Sequence, residues 1–564
     1  MNYIFTIMIC KDIILLMKEP VQIHPIVLGG LPIVRSVLEA LRIPELLARY
    51  VPDDPREKIP VHQTLTVMLC NVVMERHPLY KVAQWAEHRA LVALGKTRFL
   101  NDDRVGRGLD RLFKSDRASL LTAVVLEAIR VYDLNTQRVH NDSTTVKLFG
   151  QYASVSTTAA TPKRGHSKDH RPDLKQLLFN LSVLGDGAVP LYFKVWDGNT
   201  TDDRTHLKNW MAIRGLLGKA DFIYVADCKL CVRESMEFIA SEGGRFVTVL
   251  PKTRAEDKRF KDWIQDNAPV WTQVKESPGT RLDDPASIWW TFECPYPSKE
   301  GFRIIWVKSS DKQRLDEQKR SSLIEETAQE LGVLQTKLYG SRKKITGLVE
   351  DVFSRKKTEY YFDWKIVVET KEIFKQDHMG RPTPQSTYKR ISTKKYALSF
   401  AHNQEHIRYD AKCDGLFPLI TNLKETGREV LEIYKFQPRL EKRHQQLKSV
   451  YHVAPVFLKN TQRIEALLFL YFLGLLVTAL IERSARLAMK SKGLSSIPIY
   501  PEQRDCRRPT ADKILDLFRD VRLQAVTQQK KRLAQVPDKL NDTQKLVLNL
   551  LEISQEKYFT PTMF

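Results

Sequence analysis

The sequence predicts a mixed α/β protein whose sheet-containing core is split by a long insertion and preceded by a helical region. Three observations predict it. Between about residues 135 and 250 the pattern runs strand, hairpin, helix, strand, helix, strand, an order that brings parallel strands together through helical crossovers. Ahead of it, from about residue 20 to 130, apolar residues recur at three- and four-residue steps, as they do along buried helix faces. From about Pro251 to Asp414 short strand-like runs surround a charged helical stretch, and strand and helix patterns then resume.

In order, the helical region reads as LPIVRSVLEALRIPELLARY, VHQTLTVMLCNVVMERH, LYKVAQWAEHRALVALG and GLDRLFKSDRASLLTAVVLEAIRVY, divided by joints such as VPDDPRE. It is expected to dock DNA or to dimerise the protein; the residues do not say which, and no helix-turn-helix pattern stands out. TQRVHNDSTTVKLFG reads as a sheet edge leading to Asp142. QLLFNLSVL and VPLYFKVW flank Gly185, Asp186 and Gly187 and form a hairpin. A helix begins at the capping cluster Thr201 to Asp203 and stops at Gly218. DFIYVADC gives a short buried strand ending at Asp227, then a helix over Val232 to Ser241 and the strand GRFVTVL. The insertion holds Trp263, Trp271, Trp289, Trp290, Trp306 and Trp364, side chains that favour cores over base-stacking platforms. LFPLITN resumes the sheet, a helix runs through LKETGREVLEIY, and a basic helix, YKFQPRLEKRHQQLK, follows. The domains expected are 1–130 (helical), 131–250 (core, first part), 251–414 (insertion), 415–491 (core, second part) and 492–564 (basic helical tail).

Composition narrows the partners. The 564 residues carry 89 Lys and Arg against 67 Asp and Glu, a net charge of +22, and are 43% hydrophobic. That is enough apolar content for several cores, and the positive excess suits a polyanion such as nucleic acid. A membrane is not expected. The apolar run at residues 1–20 is broken by Lys11 and Asp12 and lacks a basic start or a cleavage site. Ala466 to Ile481 is 16 residues long, short of the roughly 20 a bilayer needs, and reads as a buried helix. Seven dispersed cysteines, with Cys228 and Cys231 as a lone C-x-x-C, fit a reducing compartment without a zinc site.

Three acids stand where chemistry is done. Asp142 follows one strand pattern, Asp227 ends another, and Glu441 lies on a helix face with Tyr434, Gln437 and Lys448, at offsets 0, 3, 7 and 14 from Tyr434. Arg439, Lys442, Arg443 and His444 crowd the same stretch. Taken singly, each acid reads equally well as a turn residue or a helix cap. Together, at the edge of an α/β sheet where ligands bind, they form an oxygen-donor set for two Mg²⁺, or Mn²⁺ in their place. Two such ions about 4 Å apart drive in-line phosphoryl displacement.

HNDSTTVKLFG, GHSKDHRPDLKQL, VWDGNTTD, VADCKLC and YKFQPRLEKRHQQLK resemble the bacterial insertion-sequence DDE transposases of the cut-and-paste group, whose signature helix reads Tyr, two residues, Arg, three, Glu, six, Lys. The resemblance covers roughly Leu28 to the C-terminal tail. It implies a ribonuclease-H-like catalytic core interrupted by an insertion ahead of the Glu, in keeping with gaps of 85 and 214 residues between Asp142, Asp227 and Glu441. It implies that these three hold the metal ions. It places Tyr434 and Lys448 on DNA phosphate, with Gln437 at the position where Arg is usual, an amide in place of a charge. The basic loop Gly165 to Lys175, with His166, Lys168 and Arg171, is either a solvated loop or a motif near the DNA, and His166 and His170 are poor partners for Mg²⁺. The function implied is cleavage of double-stranded transposon ends and joining of the 3′-OH to target DNA, by a homodimer or larger synaptic complex in a bacterial or archaeal cytoplasm, at the nucleoid. A nuclease with the same triad that does not join, and a decayed or domesticated transposase that only binds DNA, are the alternatives.

Overall fold

The structure, a computed structural model, describes residues 22–87, 89, 99–152, 158–168, 170–278, 285–450, 458–528 and 531–560. The apolar stretch 1–20 with Cys10, Asp169 of the basic loop, much of the run ending in VALG and the end of the tail at Phe564 lie outside the described residues. The chain forms two compact units: unit 1 is Met1–Thr248 with Glu432–Phe564, and unit 2 is Val249–Leu431.

Unit 1 begins with strand β1 (Gln22–Val27) and helices α1 (Leu31–Ala40), α2 (Ile43–Tyr50), α3 (Val61–Met74), α4 (Val82–Glu87), α5 (Asp102–Lys114) and α6 (Arg117–Tyr132). The starts of α5 and α6 are fixed by side-chain caps, Asn101 accepting from the Arg104 amide and Asp116 from the Ser119 amide. Helix α3 is buried along most of its length, as its all-round apolar sequence requires. A sheet follows: β2 (Arg138–Leu148), β3 (Lys175–Leu184), β4 (Pro190–Asp197), helix α7 (Asp203–Leu217), β5 (Ile223–Val225), helix α8 (Arg233–Ser241) and β6 (Arg245–Val249). The strands lie in the order β4-β3-β2-β5-β6, antiparallel from β4 to β2 and parallel from β2 to β6. Element order and mixed α/β class are as the sequence predicts. The expected edge position of the Asp142 strand is not: β2 pairs with β3 on one side and β5 on the other, and its buried residues on both faces suit that interior place.

Unit 2 contains α9 (Ala255–Asp266), β7 (Thr272–Ser277), β8 (Ser287–Glu293), β9 (Arg303–Ser309), α10 (Ser310–Gln335), α11 (Arg342–Lys356), β10 (Phe362–Gln376), β11 (Tyr388–His402), α12 (Gln404–Cys413) and β12 (Leu416–Thr421). Strands β12, β9, β8 and β7 are antiparallel neighbours. Trp306 is buried and stacks on Phe260 at 4.0 Å, a core role. Strands β10 and β11 pair over fifteen residues each, and their base closes a second core with α10 and α11, centred on Leu331, Ile345, Val349 and Phe353.

The chain returns through α13 (Gly427–Tyr434) to α14 (Gln437–Gln445) and, beyond a π-helical turn at Gln446–Val450, to α15 (Thr461–Ser491). The single helix expected from Tyr434 to Lys448 is thus interrupted: Tyr434 ends α13, and Pro438 occupies the first turn of α14, where a missing N–H costs nothing. Helix α15 is long and apolar enough to cross a membrane, yet 89% of its most apolar window is buried inside the protein. Arg463 on α15 forms a two-pronged bond to Asp110 of α5 (2.8 and 2.7 Å), and Arg117 of α6 bonds Glu465 (2.8 Å). The amino-terminal helices therefore share one compact unit with the sheet. The tail is not purely helical either. It contains β13 (Ile497–Pro498), β14 (Asp505–Cys506), α16 (Ala511–Asp516), β15 (Arg522–Gln528), β16 (Lys531–Pro537), α17 (Asp542–Leu550) and α18 (Gln555–Phe559), and β15 pairs with both β16 and β1. Alternation in RLQAVTQ, with Leu523 and Ala525 buried, is the strand signal behind that difference.

Candidate functional site

The site is built on the parallel part of the unit 1 sheet. Strands β2 and β5 pair from Arg138 with Ile223 to His140 with Val225. Asp227 stands two residues beyond the last pair, past the end of β5. Asp142 stands level with it but within β2, still paired with Leu181 of β3, rather than after its strand as the sequence suggests. The two mark the edge where the parallel pairing ends. That edge is where backbone geometry opens a crevice in an α/β sheet. Helix α14 packs against β2. Buried Gln437 holds it there, donating to the Asn141 carbonyl at 3.1 Å while its side-chain oxygen faces His140 Nδ1 at 3.2 Å. Since that oxygen can only accept, His140 carries its proton on Nδ1. Its Nε2 is buried without a partner, and burial, outweighing the Gln437 bond, lowers the imidazole pKa to about 4. Gln437 is therefore not a DNA-facing residue: it ties the helix to the strand that carries Asp142.

Asp142 is surrounded by donors. The Ser143 amide donates to it at 2.7 Å, Lys168 Nζ lies 3.4 Å from one oxygen, and His444 Nδ1 lies 3.5 Å from the other. Burial alone would raise its pKa, but His444, Lys168 and the Ser143 amide together hold it at about 2. Lys168 also donates to the Ser143 carbonyl (2.7 Å) and hydroxyl (2.9 Å) and pairs with Asp202 at 3.0 Å. Burial opposes its charge, but Asp142, Asp202 and Asp227 outweigh burial and raise its pKa. Asp227 accepts from the Lys229 amide at 3.0 Å, capping the short turn Cys228–Leu230, and the buried His206 Nε2 lies 3.8 Å from it. Glu441 is exposed on α14 and has no ion pair among the described residues. Tyr434 joins the three acids: burial, then the charges of Asp227, Cys228, Glu441 and Asp142, push its phenol up to about 12, so it is a neutral donor set among carboxylates.

The charges of Asp142, Asp227 and Glu441 all reach Tyr434, and their oxygen donors suit a hard divalent cation. Lys168 already sets a cationic group against Asp142 and Asp202. As the side chains stand, no group of three or more His, Cys, Asp or Glu among the described residues is close enough to hold a metal ion. Two participants escape a reading of the sequence. Asp202 looks like a helix cap, but its side chain makes no capping bond and turns to Lys168 and Ser143. His444 is hidden among basic neighbours of α14.

The other expected DNA contacts lie in the loop that carries Lys168 and just beyond α14. His166 is exposed, and its carbonyl accepts from Gln176 at 3.1 Å. Arg171 is exposed and pairs with Asp173 at 2.7 Å. Lys448 falls in the π-helical turn after α14. None of the six described cysteines is in a disulfide.

Residues 23–126 match the family described as Domain of unknown function (DUF4277). No curated protein matches the chain. A solved structure described as a piggyBac transposase synaptic complex with hairpin DNA aligns over 88% of this chain and 82% of its own, with 9% identity and a TM-score of 0.38.

The loop that delivers Lys168 is held by a backbone contact only glycine permits. Lys163 and Gln176 exchange main-chain bonds at 3.2 and 3.0 Å, and the Gln176 side-chain Nε2 donates to the carbonyls of His166 and Gly198. A Cβ on Gly198 would run into the carbonyl oxygens of Gln176 and Lys163. The VWDGNTTD segment thus clamps the basic loop against β3.

Proposed function

We propose that this protein is a DDE transposase that binds the ends of a mobile DNA segment, cleaves them by metal-assisted hydrolysis and joins the freed 3′-OH to target DNA. One observation carries it: Asp142 and Asp227 stand level on adjacent parallel strands, with Glu441 and the Tyr434 phenol in the same electrostatic neighbourhood. Support also comes from the signature residues of the sequence, from three antiparallel strands continued by two parallel ones as a ribonuclease-H-like core, and from the net charge of +22.

In this reading Asp142, Asp227 and Glu441 would hold Mg²⁺, or Mn²⁺ in its place, as a pair of ions. Bound there, the ions supply Lewis-acid stabilisation of an in-line phosphoryl displacement. Lys168 holds the site together by neutralising Asp142 and Asp202. Tyr434 donates a neutral hydrogen bond to a phosphate oxygen that a carboxylate-rich edge would otherwise repel. Lys448, His166 and Arg171 add sequence-independent phosphate contacts. Two DNA ends must be brought together, so a homodimer or larger synaptic complex acts, where DNA lies in a bacterial or archaeal cytoplasm.

The test is strand cleavage and joining on DNA carrying the element's own ends, with Mg²⁺ or Mn²⁺, beside Glu441→Gln. Nicked and joined products, both lost in the variant by at least about 10³-fold, are expected. Nicking without joining identifies a nuclease instead. Metal-independent binding with no cleavage leaves a DNA-binding protein.

A further inference from the structure

The far flank of α14 carries a second site. Gln437, Glu441 and His444 lie within about 60° of one another around the helix, and Arg439, Lys442 and Arg443 lie roughly opposite. On that side a cavity of about 430 Å³ is lined by Arg439, Lys442, Arg443, Arg486 and Arg508, with Glu482 at its floor. One further carboxylate, Asp512, lines it and is bonded to Arg76. Five cations thus face two acids, both already engaged.

The floor is built and buried. Arg443 donates to the carbonyls of Ala188 (3.0 Å) and Gly187 (3.2 Å) and to Gln446 (2.9 Å), and pairs with Glu482 at 3.0 Å. Both side chains of that pair are less than a tenth exposed. Arg486 donates to the Pro509 carbonyl and stands 3.3 Å from Glu482. Glu482 therefore serves two arginines and the Ala511 amide at once. The mouth differs. Arg439, Lys442 and Arg508 have no carboxylate partner among the described residues. Burial, then the charges of Arg508, Arg486 and Arg443, lower the pKa of Arg439, and burial with the same crowding lowers that of Arg486 despite Glu482. A fold keeps like charges crowded at this cost where an anion relieves them.

We propose that this cavity binds a phosphate group of the DNA backbone, seated by Arg439, Lys442 and Arg508 above the buried Arg443–Glu482–Arg486 floor, on the opposite flank of the helix that presents Glu441. Planar guanidinium forks match phosphate oxygens in pairs. This rests on the reading of the protein as one that acts on DNA. The same chemistry would accept a free polyphosphate, so the test has two arms.

In the first arm, DNA affinity is measured against salt for the full chain, for Lys442→Gln, for Arg439→Gln/Arg508→Gln and for Lys219→Gln, which lies outside the cavity. Each phosphate contact contributes about 0.9 to the slope of log K against log salt. The expected result is a slope shallower by about 1 in the single cavity variant and no change in Lys219→Gln. In the second arm, inorganic tripolyphosphate is expected to raise the melting temperature of the unmodified protein and not of the double variant. Tripolyphosphate protection that depends on the cavity, with an unchanged DNA slope, overturns DNA as the source. No change in either arm overturns the site. If the unmodified protein fails to bind DNA, the functional reading falls, and the tripolyphosphate arm still judges the cavity.

Discussion

Gln437 decides between two accounts of one position. If it were a weakened DNA contact, Gln437→Arg would tighten DNA binding. Its amide is instead buried between His140 and the Asn141 carbonyl. A guanidinium there would be overpacked and unpaired, so Gln437→Arg is expected to cost about 2–4 kcal/mol in urea unfolding, with no gain in affinity. His140, its partner, makes stability depend on pH. The folded pKa of about 4 lies below the ordinary value, which is near 6.5 for an unfolded chain. The contribution is therefore complete above pH 6.5 and drains away as pH falls through 4. From this residue alone, stability at pH 5 should be about 2 kcal/mol below that at pH 7. His140→Asn should remove that part of the slope. For Asp142, held at about 2, the sign is the same and the window lower: its contribution is whole above the ordinary carboxyl range and is lost on acidification toward pH 2.

At the scale of elements, α14 is fastened on both flanks, by Gln437 to β2 and by Arg443 to Glu482 of α15. Breaking a buried pair strands the surviving charge, so Glu482→Leu should cost about 3–5 kcal/mol, and Glu482→Leu with Arg443→Met should recover much of it. A double-mutant cycle in urea reads the coupling. The Gly198 clamp yields a different outcome: Gly198→Ala should lose about 1–3 kcal/mol and displace the loop bearing Lys168, weakening DNA cleavage more than DNA binding. Regular elements of this kind were legible in sequence. The hairpin, the helix closed by Gly218 and the strand before Asp227 announce themselves through period and turn chemistry, whereas Asp142 lies inside β2, because that strand runs on through the mostly polar residues Ser143 to Lys147. The break between Tyr434 and Gln437 did not show, because Tyr434 sits at helical spacing from its neighbours on either side of the kink. Nor did Gln437's burial show, since a polar side chain reads as exposed until its two partners, about 300 positions earlier, are placed beside it.

The whole molecule comprises two units with separate cores. Unit 2 has its own cluster around Leu331, which is fully buried. Calorimetry of the full chain should therefore show more than one transition. Leu331→Ala, at about 2–5 kcal/mol, should lower one of them and leave the other in place. The sequence showed the insertion through its change of pattern. It did not show that the amino-terminal helices and the tail close around the sheet as one unit, because contacts such as Arg463 with Asp110 leave no periodic trace.

That closure has a consequence for how the protein is made. Strand β1, ending at Val27, pairs with β15, which starts at Arg522. A ribosome adds about 5–20 residues per second, so the first strand emerges tens of seconds before its partner exists. Unit 2 is continuous in the chain and can fold as it leaves the tunnel, while unit 1 waits for the last quarter of synthesis. Through that interval the open edge of β1 and the apolar faces of the early helices stay uncovered on the nascent chain, the state in which holding chaperones matter most.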